Sequence, residues 1–206
     1  MKTSIKTPGR TINATRALWC CWLLALLVGC GSPPSEPMRY YRLPVEAPQQ
    51  AGRAAAPMAE LAVWQLLTPV QLPDHLQRDV LWLPVGASGL QPLEGHRWAE
   101  PLREALPRVL RHDLALLRGD ARVWAGAVPA GVHIDRQLKI EVLALEAAAT
   151  GVVLRVRWSL SDPSGRQPLN IDTAAINVPD SGPAPDQLVA AYRLALWMFA
   201  QRIAGS

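Results

Sequence analysis

Gln137–Leu145 (QLKIEVLAL) and Val152–Leu160 (VVLRVRWSL) decide the fold. In the second segment Val152, Leu154, Val156 and Trp158 alternate with Val153, Arg155, Arg157 and Ser159. Successive side chains of a strand point to opposite faces, so this pattern predicts a half-buried β-strand. The two segments are joined by Ala-rich residues ending in Thr150-Gly151, a hairpin signal. Asp162-Pro163-Ser164-Gly165 has turn composition, and Gln167 to Val178 returns as another strand, which predicts a three-stranded antiparallel meander.

Outward from the meander, Pro179 to Pro185 breaks the chain, and Asp186 is placed to cap a last helix running to about Ile203. Leu188, Tyr192, Ala195, Leu196, Phe199 and Ile203 form its apolar stripe. Upstream, a helix is predicted from about Arg97 to Leu117. Trp98, Leu102, Ala105, Leu106, Val109, Leu110, Leu114 and Leu117 recur there at steps of three and four. Pro101 suits its first turn, where a missing N–H costs nothing. Pro107 predicts a kink near Arg103 to Pro107, because an interior proline costs ~3 kcal/mol. Gly119 is the expected stop.

Shorter strands are expected at Arg39 to Val45, Leu61 to Leu67, Val80 to Val85 and Ala121 to Val128. Glu46 to Pro57 and Gly86 to Gly89 read as loops, and Pro69 to Arg78 as a turn with a short helical piece. The resulting fold class is α+β: a mostly antiparallel sheet packed on two helices, an α/β sandwich, in one domain.

The N-terminus carries a separate message. Lys2, Lys6, Arg10 and Arg16 precede Leu18 to Val28, an apolar run of eleven residues. Spanning ~30 Å of hydrocarbon takes ~20 helical residues, so the run has the layout of a cleaved secretory signal. It ends in Leu27-Val28-Gly29-Cys30, the form of a bacterial lipobox, whereas Cys20 and Cys21 follow Trp19 and Cys20 rather than small residues. The expected division is residues 1–29 as lipoprotein signal peptide, 30–37 as acylated Cys30 with a Pro/Ser tether, and 38–206 as the folded domain. Gly31, where an Asp would favour inner-membrane retention, favours an outer-membrane address by likeness to sorting rules.

Cleavage changes the bulk properties. The full chain has a formal charge of +4, but residues 1–29 hold four of its 21 Lys and Arg and no acid, leaving 17 basic against 17 acidic residues. A neutral mature chain gives no support for a nucleic-acid partner. All three cysteines are accounted for by the signal and the acylation site, so the mature domain has none for a disulfide or a Cys-ligated zinc.

Catalytic patterns are not found. His75, His96, His112 and His133 stand in no H-E-x-x-H frame, and Ser88 lacks the nucleophile-elbow pattern. His112-Asp113 reads as surface polarity, and Glu100 and Glu104 among Arg97, Arg103 and Arg108 as a solvated ion-pair cluster. No catalytic residue, metal site or cofactor is expected. Of the mature tryptophans, Trp98 and Trp158 are expected in the core, and some of Trp64, Trp82, Trp124 and Trp197 at an interface.

Three segments carry a family resemblance: Arg39-Tyr40-Tyr41-Arg42-Leu43, Pro69 to Arg78 (PVQLPDHLQR), and Arg97-Trp98-Ala99-Glu100-Pro101-Leu102 continuing to Pro107-Arg108-Val109-Leu110. With the lipobox, the chain resembles the PqiC-like ABC-type transport auxiliary lipoproteins. It departs from their pattern at His75, Gln77 and Asp79, where the family has an aromatic, an Asp and a Pro nearby.

The resemblance implies an outer-membrane-anchored periplasmic lipoprotein, held by Cys30 and not an enzyme. It implies an inner-membrane ABC permease and ATPase and an MCE-domain protein as partners, lipids or other hydrophobic molecules as cargo, and a homo-oligomer. It makes Pro73, His75, Leu76 and Arg78 candidates for a partner interface. Arg97, Trp98, Glu100 and Pro101 are expected to fix the helix against the sheet. The competing reading is a structural envelope lipoprotein that scaffolds another assembly without handling cargo.

Overall fold

The meander forms most of the larger of two sheets in the computed structural model, which describes residues 37–48, 62–86, 88–148, 151–164, 168–179, 182 and 184–205. Strands β6 (Arg136–Ala148), β7 (Gly151–Ser161) and β8 (Pro168–Pro179) pair antiparallel, with Ile140 opposite Trp158 and Trp158 opposite Asp172. The alternation holds: Val152, Leu154, Val156, Trp158 and Leu160 are buried, while Arg155 and Arg157 are exposed. Gly151 starts β7 at φ +139°, and a Cβ there would lie 1.9 Å from the Val178 carbonyl oxygen, so the close pairing with β8 requires glycine. A bulge at Val142/Ala144 turns Leu143 outward.

Short strands β2 (Trp64–Leu66) and β5 (Val123–Ala125) complete this sheet in the order β5-β2-β6-β7-β8, with β2 parallel to both its neighbours. The second sheet has the order β1-β4-β3, with β1 (Arg39–Tyr41) parallel and β3 (Val80–Val85) antiparallel to β4 (Gly89–Trp98). The sheets are mixed, but each parallel pairing covers three residues, so the long ladders are antiparallel. Both helices pack on these strands, giving the expected α+β class.

Helix α1 (Leu102–Arg118) buries Leu102, Ala105, Leu106, Val109, Leu110, Leu114 and Leu117, the face read from the sequence. Pro107 is buried inside it. Its missing N–H removes one bond, to the Arg103 carbonyl, and the helix continues to Gly119, whose N–H bonds the Ala115 carbonyl at 2.8 Å. Helix α2 (Pro185–Ala204) lies against α1 on one side and β7 and β8 on the other. Its burial is wider than the expected stripe and includes Trp197, Val189 and Ala200. Phe199 meets Trp158 edge-on at 5.4 Å, a contact worth ~0.5–1.5 kcal/mol beyond its buried area.

Two local expectations are corrected. Arg97 and Trp98 end strand β4 and do not open the helix, which starts after Pro101. β4 is an addition: the sequence predicts a loop at Gly86 to Gly89 and no element between there and Arg97; Pro92 is tolerated since β1 covers only His96 to Trp98 and leaves the rest of β4 as an edge. Asp186 does not cap α2: the cap position is Ala184, without a side-chain bond, and Pro185 occupies the first turn. Trp98 and Trp158 are buried as expected, and Trp64 and Trp197 join them in the core, leaving Trp82 and Trp124 half-buried. The guanidinium of Arg118 lies 3.8 Å over the Trp64 ring. Cys30 and the tether lie outside the described residues.

Candidate partner-facing site

The Pro69–Arg78 segment leaves β2 through a cis Thr68–Pro69 bond and is pinned to β6 at Gln71. Gln71 donates its N–H to the Ile140 carbonyl at 3.3 Å and accepts from the Val142 N–H at 2.9 Å. A single 3-10 turn, Asp74–Gln77, follows Pro73. The Gln77 side-chain amide donates to the Leu72 carbonyl and to Asp74 Oδ1 at 3.1 and 3.2 Å, closing the turn on itself.

The four residues singled out here have different surroundings. Leu76 is 4% exposed and belongs to the core, so its side chain is not offered to a partner. Pro73 and His75 are half-buried and Arg78 is exposed. The His75 carbonyl accepts the Trp82 indole N–H at 2.9 Å, while its Nε2 lies 3.9 Å from Glu146 Oε1, beyond hydrogen-bond reach.

An open cleft of 980 Å³ lies on another side of the segment, with Val70, Leu72 and Pro107 as apolar lining and Gln77, Arg103, Glu104 and Glu141 as polar lining. None of the four residues lines it. Glu141 is engaged across the strands, accepting from Arg157 Nε and Nη2 at 2.9 and 2.7 Å.

The Arg97-Trp98-x-Glu100-Pro101 residues contact the fold's own elements. Arg97 pairs with Asp79 at 3.1 Å, tying β4 to the end of the Pro69–Arg78 segment. The Trp98 N–H donates to the Asp79 carbonyl at 2.7 Å, and its ring stacks on Tyr192 of α2 with centroids 6.1 Å apart. Glu100 accepts from Arg108 on α1, and Pro101 supplies the carbonyl for the first helical bonds. Burial, reinforced by the nearby Glu146 carboxylate, pushes the Tyr192 phenol above its ordinary pKa.

One polar feature was missed in the sequence. Asp113 on α1 is fully buried, not surface polarity, and it faces Arg193 of α2. Arg193 Nη1 and Nη2 donate to its two oxygens at 2.8 and 2.5 Å. Arg193 also donates to the Glu46 and Val45 carbonyls at 3.1 and 3.0 Å, fastening the chain that follows β1. Burial pushes the Asp113 carboxyl up to about 6, against the pull of the guanidinium. The signal was present: Asp113 falls between Leu110 and Leu114 on the apolar face, and Arg193 lies beside Tyr192 in the stripe of α2.

Among the described residues no group of three or more His, Cys, Asp or Glu could hold a metal ion. No helix among them is long and apolar enough to cross a membrane. These features define a class: an α+β domain of two mixed sheets and two helices whose buried polar groups fasten its own segments together.

The chain belongs to the ABC-type transport auxiliary lipoprotein component family, whose model matches residues 41–204. It is thus an auxiliary lipoprotein component of ABC-type transport, a family that is not one of enzymes, and the family implies a lipid anchor on a membrane. Two solved structures share the fold at a TM-score of 0.63. One is a crystal structure of an uncharacterized protein, 18% identical, covering 82% of this chain and 97% of its own. The other is protein XCC0632 from Xanthomonas campestris, of the DUF330 family, 17% identical, covering 81% and 93%. A PelC dodecamer from Paraburkholderia phytofirmans, 12% identical over 66% of this chain and 83% of its own, has a TM-score of 0.38, too distant to bear on this chain's assembly. No curated protein matches the chain.

Proposed function

We propose that this protein is processed before Cys30, acylated there, and held at the periplasmic face of the outer membrane. From that position its 38–206 domain serves an inner-membrane ABC permease and ATPase through an MCE-domain protein. The cargo is lipids or other hydrophobic molecules, and the protein works as a homo-oligomer. The supporting observation is the lipobox cysteine standing eleven residues ahead of Tyr41, where the family match begins. That spacing has room for the Pro/Ser tether ahead of β1.

In this reading Pro73, His75 and Arg78 meet a partner, while Leu76 holds their turn in the core. Arg97, Trp98, Glu100 and Pro101 keep that turn, β4 and α1 in fixed relation. The test is capture of the acylated protein after crosslinking in native membranes. Recovery of an MCE-domain protein is expected. Recovery of cell-wall proteins alone, or a deletion strain with unchanged outer-membrane permeability, would overturn the transport reading in favour of scaffolding.

A further inference from the structure

We infer that the tip of the β3–β4 hairpin is a second membrane contact, seated in the same lipid surface that holds the Cys30 acyl chains; this rests on the acylation proposed above. The hairpin closes at Val85 opposite Gly89. Gly86 takes φ +63°, and a Cβ on Gly89 would lie 2.7 Å from the Val85 carbonyl oxygen, so the sequence builds a tight tip. Val85 and Leu90, flanking it, are 50% and 41% exposed. From Val80 to Leu93 the sequence has no charged residue; the nearest charges, Asp79 and Glu94, lie back along the strands. Long uncharged hairpins with exposed aliphatic ends are an aggregation risk unless something covers them.

The direction of the chain selects a lipid surface as the cover. Strand β1 is parallel to β4 and begins opposite His96, so the polypeptide enters β1 from the side toward which the hairpin projects. Tyr40 pairs with Arg97, and Arg97 with Val80. Val85 is five residues further along β3, a rise of ~17 Å at ~3.3 Å per residue. The ten residue steps from Cys30 to Tyr40 can span at most ~33–36 Å. The tether is therefore long enough for the anchor to reach the plane of the tip.

The exposed apolar side chains agree. Among the described residues eight large ones are exposed, and Met38, Tyr40, Val85 and Leu90 all belong to this small sheet or the chain entering it. Lipid attachment leaves a domain free to swing; a second apolar contact fixes its orientation.

The test uses the full, processed protein in vesicles of phosphatidylethanolamine and phosphatidylglycerol. Acylation consumes Cys30 and the leader carries off Cys20 and Cys21, so a cysteine introduced as Val85→Cys, Leu90→Cys or, as control, Arg155→Cys is the one free thiol. All three positions are exposed, so the fold tolerates a nitrobenzoxadiazole label. Labels at 85 and 90 are expected to shift to shorter emission wavelength and to be quenched by lipids brominated near the headgroup, while the label at 155 behaves as in water. Protein that floats with the vesicles but carries aqueous labels at 85 and 90 would overturn the hairpin contact and leave the anchor standing. Protein that does not float and has no acyl mass would overturn both.

Discussion

Asp113 of α1 and Arg193 of α2 form a buried two-point ion pair, with nitrogen–oxygen distances of 2.8 and 2.5 Å, that joins the two helices and the chain after β1. Removing Asp113 leaves the Arg193 guanidinium charged and without water, and removing Arg193 leaves a buried carboxyl without its two donors. Asp113→Ala or Arg193→Met should each lower stability by ~3–5 kcal/mol, and the double variant Asp113→Leu/Arg193→Met by less than either. Urea unfolding measures all three. A double variant at the sum of the singles would show no coupling between the two groups.

The pair also sets a pH dependence. The Asp113 carboxyl sits at about 6 in the fold, above its ordinary 3.8, so the folded state binds this proton more tightly than the unfolded chain. The stability tied to that proton is fully present below about 3.8 and is lost as pH rises through about 6. Relative to Asp113→Asn, the wild-type protein should therefore unfold at higher temperature at pH 5 than at pH 7. A wild-type advantage that grows toward pH 7 would mean that Arg193 outweighs burial.

At the turn before β3, stability and binding should separate. Leu76→Ala empties a core position and should cost ~2–5 kcal/mol. Arg78→Ala, on an exposed side chain, should stay within ~0.5 kcal/mol of wild type yet reduce capture of the proposed MCE-domain partner in native membranes. Equal capture by Arg78→Ala and wild type would remove Arg78 from the interface.

Gly151→Ala places a Cβ against the Val178 carbonyl at a φ that other residues avoid. The strain of the backbone position alone is ~1–3 kcal/mol, and the clash adds to it. Differential scanning calorimetry should show a clear drop in unfolding temperature; an unchanged value would mean that β7 and β8 shift apart freely.

The sequence was most legible where one physical rule acted alone. Period-two alternation located β7 because Arg155 and Arg157 faced water while Trp158 and Leu154 faced the helices. It failed where neighbours decided the outcome. Trp98 fitted the helical period of α1, yet the chain reaches it as a strand, held by Asp79 and Tyr192. Gly89, Pro92 and Gly95 concealed β4 because local propensity does not see that most of the strand is an edge. Leu76 shared a motif with exposed residues, and a motif does not show which members are buried. Asp113 reads as surface polarity because a single helix does not reveal the arginine on another.

The proposed role at a membrane depends on the lipid anchor at Cys30. Intact-mass and peptide mass spectrometry of the native protein, extracted from membranes, tests it most directly. The expected mature chain begins at Cys30 and carries acyl mass on its thiol and amino group. A chain that retains residues before Cys30, or begins there without added lipid, would contradict the account.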